Sequence, residues 1–293
     1  MEKIVEFKTE NGVCAVKIEE IPYFDIFKSF DCGQCFRFDR VELFGNKYEF
    51  GGVANGRYVV FAQNHPRELI IYNATGEDYL NIWRHYLSLD SDYEKINEEI
   101  SSALNHSHMD KAIDYGRGIR ILRQDSWEAL CSFIISQNNN IPRIKKIIAS
   151  LCQKYGESVC YFGGEAYAFP EASRLLEAGE AEIFALKTGF RAKYIIDACQ
   201  RVTSGEIDLS RVAGEESFDT CVSNLSKIKG VGIKVASCAL LFGFDKTEAF
   251  PIDVWIKRVI DCRFDGKIDI NALGKNAGIA QQYLFYYERY NSN

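Results

Sequence analysis

Two residues of this chain have the types and positions to carry covalent chemistry. Lys234 follows the turn Gly230-Val231-Gly232 in IKGVGIKVASC, and Asp253 stands in FPIDVWIKRVI, after Pro251 and just before a helical pattern. Helical spacing puts Lys234 on the first turn of the helix it opens, at the positive end of the helix dipole, where the charged form of a lysine is disfavoured. A nucleophilic lysine needs that, because at an ordinary pKa of about 10.4 only about one molecule in 2,500 is neutral at pH 7. Asp253 reads as an N-cap ahead of the apolar residues Ile256, Val259 and Ile260. An N-cap carboxylate stays ionised and could face a developing cation. Taken alone, the two residues read more readily as a solvated lysine and a simple cap.

The glycine turn before Lys234 has three possible uses. A phosphate loop of the G-x-x-x-x-G-K-[ST] type follows a strand. Here the preceding DTCVSNLSKIK has helical spacing and the Gly–Lys distances do not match. A dinucleotide fingerprint also follows a strand and needs a third glycine. Helix, Gly-Val-Gly, helix is instead a helix-hairpin-helix, whose backbone N–H groups at the start of the second helix can point at a phosphate oxygen while Val231 tucks between the helices. A plain αα-hairpin turn is the alternative. Cys32 and Cys35, in DCGQCFRF, have redox or zinc spacing but no second ligand pair and no βαβ pattern nearby. The ten cysteines are spread through apolar helical stretches, as buried free thiols are, rather than clustered as a disulfide framework.

The elements that must position these residues fall into two groups. KIVEFKTENGVCAVKI is two apolar runs around Asn11-Gly12, and further alternating runs turn at Gly45-Asn46 and Asn55-Gly56. These are hairpin signals, and they predict one antiparallel sheet of about five or six strands with a face needing cover. GEDYLNIWRHYLSL and SDYEKINEEISSALN have the helical spacing to supply it. From about residue 108 onward the apolar residues recur at three-four spacing between short Gly, Asn or Pro turns. The expected fold is α+β: residues 1–108 form an antiparallel sheet domain with covering helices, and 109–293 an all-α domain, with the helix-hairpin-helix at about 218–244 and the loop to Asp253 at about 245–254.

The 293 residues suffice for two domains. No stretch of about 18 apolar residues occurs and the N-terminus lacks an apolar signal core, so a soluble, intracellular protein is expected. A net charge of −6 argues against a nonspecific polyanion binder but leaves room for a local basic face or a backbone grip.

Five stretches, in order, resemble one family. IKGVGIKVASCALLFGFDKTEAFPIDVW is similar to the helix-hairpin-helix, Gly/Pro-rich loop and aspartate signature of base-excision DNA glycosylases. GQCFRF, SFIISQNNNIPRI, GFRAKYI and GIAQQYLF resemble segments of the eukaryotic-type 8-oxoguanine DNA glycosylases. The resemblance covers nearly the whole chain. It implies a bifunctional glycosylase and β-lyase acting on double-stranded DNA with 8-oxoguanine, opposite cytosine. A damaged base would be flipped into a pocket, Lys234 would attack the sugar as the Schiff-base nucleophile, and Asp253 would stabilise the cationic sugar.

By the same resemblance, the Gly33 carbonyl would accept the N7–H that distinguishes 8-oxoguanine, Cys238 and Phe285 would sandwich the base, and Gln281 would read its Watson–Crick edge. Asn138 would fill the hole left by flipping, Arg143 and Arg191 would contact the orphaned cytosine, and Phe190, in place of a tyrosine, would wedge beside it. Gly230 and Gly232 would present backbone amides to DNA, and the carbonyls of Ser226, Ile228 and Val231 could hold a structural metal ion. No cofactor is implied. An iron–sulfur cluster needs closely spaced C-terminal cysteines, and Cys262 is alone there.

Trp255 stands where the family commonly has a histidine that contacts a phosphate, and Ile279 replaces a tryptophan as a packing change. A monomer is expected, in a bacterial cytoplasm or a nucleus. The competing readings are a water-using glycosylase for another damaged purine, against which Lys234 argues, and a nonenzymatic DNA-binding module, which leaves Lys234 and Asp253 without a role.

Overall fold

A computed structural model of the chain describes residues 2–162, 164–215 and 217–291. Six strands form one antiparallel sheet: β1 (Lys3–Lys8), β2 (Cys14–Glu19), β3 (Phe38–Arg40), β4 (Tyr48–Ala54), β5 (Arg57–Gln63) and β6 (Glu68–Tyr72), in the spatial order β1-β2-β6-β5-β4-β3. The Asn55-Gly56 turn has φ of 50° and 68°, the two positive values that a tight hairpin between right-twisted strands requires.

Period-two alternation sends Val16, Ile18, Val59, Phe61, Leu69 and Ile71 to one face, where they pack against Phe24, Phe30, Tyr79, Trp83 and Tyr86. Trp83 is fully buried, and its ring meets Phe61 edge-on at 5.4 Å. Burial of each such side chain contributes about 1.5–3 kcal/mol. The helical run expected to cover this face does so, through Gly76–Asp78, a π-type turn at Tyr79–Trp83 and Arg84–Tyr86.

Two features depart from the sequence reading. The helix Tyr93–Leu104 does not cover the sheet, because its Tyr93 and Ile100 belong to the core of the helical half. Arg120 explains the turn of the chain: its buried guanidinium donates to the carbonyls of Ser88 at 2.6 Å and Ser91 at 3.1 Å and lies 4.5 Å over the Tyr93 ring. The second departure is a hairpin inside the half expected to be all helical, β7 (Ser158–Tyr161) with β8 (Gly164–Tyr167). It covers the other face of the sheet, with Tyr161 stacked on Tyr58 at 3.9 Å and Phe162 packed into the Ala15, Val60, Ile70 and Tyr72 cluster. A two-stranded ribbon is marginal by itself in water, so the aromatic face of the sheet stabilises it and four-residue strands give little periodic signal.

The helical half is built around two helices that are apolar almost all round, Ser126–Ser136 and Ile233–Gly243, with Ala277–Asn291 buried beside them. Side chains of all three, among them Phe133, Lys234, Cys238, Gln281 and Phe285, line one pocket, where the site lies.

Candidate active site

The helix-hairpin-helix is formed by Phe218–Leu225 and Ile233–Gly243. Gly230 turns the chain at φ 76°, and a Cβ there would lie 2.4 Å from the Tyr194 ring, so both conformation and space require glycine. Val231 is buried, and its amide donates to the Ile228 carbonyl at 3.0 Å. Gly232 is the N-cap of the second helix, with φ −92° and no side-chain cap bond, and a Cβ there would meet open space. Elsewhere Asp125, Asn140 and Ser217 cap their helices with side chains. The amides that open the Ile233–Gly243 helix are therefore offered outward, where a phosphate oxygen is the natural acceptor. Such a grip needs no excess of basic residues, which reconciles it with the net charge of −6.

Lys234, at the second position of this helix, is exposed at its base and lines a small pocket of about 80 Å³. The same pocket is lined by Gly33, Cys238, Asp253, Gln281 and Phe285. All six residues to which the resemblance gives catalysis or base binding thus meet in one place. Asp253 is the N-cap of Val254–Arg263, its Oδ1 accepting the Ile256 amide at 2.8 Å. Cys238 lies one turn beyond Lys234; burial pushes its thiol up to about 11, offset in part by the charge and hydrogen bond of Lys234. It presents a neutral, polarizable face to the pocket at neutral pH.

Gln281 is 5% exposed, and its Oε1 has no hydrogen-bond partner. A buried amide oxygen left unpaired costs about 1–3 kcal/mol, so the pocket holds an unmet demand for a donor. Gly33 sits opposite at φ 79°, with the place of its missing Cβ 3.7 Å from Ile141 Cδ1 and 3.8 Å from Phe285 Cε1. Its neighbours are pinned. The Cys32 carbonyl accepts from Gln282 Nε2 at 2.9 Å and the Gln34 carbonyl from Gln124 Nε2 at 2.8 Å. The Gln34 side chain donates to the carbonyls of Ser29 at 2.8 Å and Arg120 at 2.9 Å and accepts the Leu122 amide at 2.8 Å. Among the described residues no donor meets the Gly33 carbonyl between them. The sequence reading missed Gln34, Gln124 and Gln282 as the clamps of this segment, because their partners lie far apart in sequence and no local pattern marks them.

Cys32 and Cys35 are free, buried thiols, pushed up by burial to about 12 and about 11. Cys32 lines the pocket and Cys35 packs into the core of the sheet half, so the two do not behave as a reactive pair.

Next to the pocket, the helix Ser126–Ser136 contributes Phe133 to its lining and runs on to Asn138, exposed at φ 46°. Arg143 is exposed on the following helix, with Nη2 3.3 Å from the Lys187 carbonyl. Phe190 is 47% exposed, and the Arg191 guanidinium lies 4.4 Å over its ring. Arg191, aimed at a base edge by the resemblance, is only 3% exposed. Its Nε donates to Gln137 at 2.9 Å, Nη1 to Thr188 at 3.1 Å and Nη2 to Asn138 at 2.9 Å, all backbone carbonyls. In this state Arg191 fixes the loop that carries Asn138, and a base contact requires that loop to yield.

Ile279 is buried, in keeping with packing, and Trp255 is half-buried with Arg258 over its ring at 5.2 Å. Among the described residues no group of three or more His, Cys, Asp or Glu side chains could hold a metal ion. The carbonyl set at Ser226, Ile228 and Val231 is neutral oxygen, suited to a hard cation, although the Ile228 carbonyl already accepts the Val231 amide at 3.0 Å. No helix is long and apolar enough to cross a membrane, among the described residues.

Comparison with known proteins gives the same picture. Residues 15–130 match the N-terminal domain of 8-oxoguanine DNA glycosylase, and residues 131–265 match the HhH-GPD superfamily of base excision DNA repair proteins. The N-glycosylase/DNA lyase of Saccharomyces cerevisiae is 37% identical over 154 residues, a match spanning 49% of this chain and 41% of the yeast protein. N-glycosylase/DNA lyase OGG1 of Arabidopsis thaliana is 30% identical over 233 residues, 72% of this chain and 60% of that protein. The Clostridium acetobutylicum 8-oxoguanine glycosylase/lyase, solved with double-stranded DNA containing cytosine opposite 8-oxoG, is 37% identical with a TM-score of 0.88, covering 99% of both chains. With both family models matched in succession over residues 15–265 and a 37% identical structure superposed over 99% of its length, the chain belongs to the 8-oxoguanine DNA glycosylase family of helix-hairpin-helix base-excision repair proteins.

Proposed function

We propose that this protein excises 8-oxoguanine opposite cytosine from duplex DNA and then cuts the strand at the resulting sugar, with Lys234 as the nucleophile. The observation that carries the reading is the single pocket shared by Lys234, Asp253, Cys238, Gly33, Phe285 and the unpaired Gln281 oxygen.

The lesion is flipped from the duplex, at a cost of a few kcal/mol in lost stacking. It lies between Cys238 and Phe285, giving a donor from its Watson–Crick edge to Gln281 and its N7–H to the Gly33 carbonyl. Guanine has no hydrogen on N7, so its lone pair would face the carbonyl oxygen and be repelled. The amine of Lys234 attacks C1′ as the bond to the base breaks; the amine gives up a proton and the departing base gains one. Asp253 stabilises the positive charge that builds on the sugar. Opening of the sugar ring leaves an imine on C1′. Loss of the C2′ proton then expels the 3′ phosphate, which is β-elimination.

The amides near Gly230 and Gly232 hold a phosphate, a hard cation at the Ser226, Ile228 and Val231 carbonyls supports the hairpin, and Asn138, Arg143, Phe190 and Arg191 attend the orphaned cytosine. The work takes place wherever the cell keeps its DNA, a bacterial cytoplasm or a nucleus.

The test is a duplex carrying 8-oxoguanine opposite cytosine, incubated with the protein and with Lys234→Gln, with and without borohydride. The expected result is base release, strand cleavage and a trapped covalent adduct for the native protein, and neither release nor adduct for the variant. Base release without an adduct would mean that water, not Lys234, is the nucleophile. Neither release nor adduct from the native protein would overturn the enzymatic reading.

A further inference from the structure

We propose that Trp255 and Arg258 form a grip for a DNA phosphodiester beside Asp253, Trp255 acting as the positioning residue and Arg258 as the contact. This rests on the DNA-cleaving function proposed above and adds a binding element to it. The two residues are three apart on the helix Val254–Arg263 and so share a face. Ile256 and Val259 of this helix are buried in the core, which leaves Arg258 exposed on its flank. Five arginines of this protein lie over an aromatic ring. Four of them also bind oxygen: Arg117 pairs with Glu94, Arg120 with the Ser88 carbonyl, Arg191 with the Gln137 carbonyl and Arg289 with the Asp31 carbonyl. Among the described residues Arg258 has no carboxylate or carbonyl partner, and the indole 5.2 Å away is its one described contact.

A guanidinium in that state is an oriented, unneutralised cation. Stacking limits its rotamers before any ligand arrives, so less freedom is lost when its planar fork meets two phosphate oxygens. Its location fits the same ligand. Asp253 caps the helix that carries Arg258 and lines the pocket, so a strand delivering a nucleotide to Lys234 passes this helix start. Ile252 and Val254 flank Asp253 with 46% and 77% of their surface exposed, an apolar step that sugars of the same strand would cover.

The experiment uses Lys234→Gln protein, which holds the lesion duplex without turnover, and follows binding by fluorescence anisotropy between about 50 and 200 mM salt. Adding Arg258→Ala should weaken binding and reduce the slope of log affinity against log salt by about 0.9, the share of one phosphate. Arg258→Lys should keep that slope. Trp255→Ala should weaken binding while Arg258 is present and change nothing once Arg258→Ala is made, since the ring acts through the arginine. Thermal melting of each variant checks that the fold is unchanged. An unchanged slope in Arg258→Ala, or additive losses in the double variant, would overturn the grip. Those results would coexist with normal base release by the native protein, whereas failure of the underlying function would appear as absence of that release.

Discussion

Lys234 and Asp253 enter one pocket from the first turns of two different helices, Ile233–Gly243 and Val254–Arg263. Both helices therefore aim their positive ends at the same place. Such an end suits an anionic backbone, and makes a lysine the exception there. Structural packing gives no reason to keep a lysine at that spot; the proposed reaction, which needs an amine, supplies one.

Asp253 caps its helix and, in the proposed reaction, also stabilises the cationic sugar; a substitution separates the two. Asparagine caps a helix about as well as aspartate, whereas alanine forfeits about 0.5–2 kcal/mol. Asp253→Asn should thus melt near the native protein while losing about 10²–10³-fold in the rate of base release, the size expected for one electrostatic stabiliser. Asp253→Ala should lose the rate and the stability together. Single-turnover cleavage alongside thermal melting distinguishes the outcomes; a fully active Asp253→Asn would leave the residue as a cap only.

Gly33 is held at φ 79° with ordinary van der Waals room around the missing Cβ. Conformation, not collision, is what an alanine there would violate, at about 1–3 kcal/mol. Gly33→Ala should fold with reduced stability and rotate the carbonyl proposed to read N7–H. The expected signature is a fall in the ratio of cleavage at 8-oxoguanine to cleavage at guanine, measured on paired duplexes. A ratio unchanged by the substitution would remove the Gly33 carbonyl from recognition.

Gln281 should behave oppositely in stability and activity. Its Oε1 is buried without a partner in the free protein. Gln281→Leu removes that burden and should melt at or above the native temperature, yet lose about 10–100-fold in kcat/KM as the bonds to the base disappear. Calorimetry and steady-state kinetics on the same preparation test it, and a destabilised variant would show that the amide has a structural partner after all.

The cysteines offer a check on the pocket walls. Cys14, Cys160 and Cys262 are exposed and the other seven are buried. Burial holds Cys32 at about 12 and Cys35 and Cys238 at about 11, so at pH 8 only about one in a thousand or fewer of these thiols is the reactive thiolate. Because the thiolate fraction rises with pH, labelling of Cys238 should accelerate as pH climbs toward 11, and a bound lesion duplex should block it. Iodoacetamide with mass analysis of the native protein should plateau at three labels at pH 8, and rise to ten in denaturant.

The sequence by itself determined what depends on neighbours within a turn or two. Asn55-Gly56 set a hairpin, Asp253 set a helix start, and Lys234 and Cys238 shared a helix face by their spacing of four. Order and identity of the matching segments carried the family and its chemistry. Only tertiary structure decided which distant groups meet. Gly33 rests against Phe285, Gln282 clamps Cys32, Arg191 is spent on the loop of Asn138, and a short hairpin at Ser158–Tyr167 covers a sheet built in the other half. Those contacts follow from burying apolar surface and satisfying polar groups across the whole chain, terms that no local window contains.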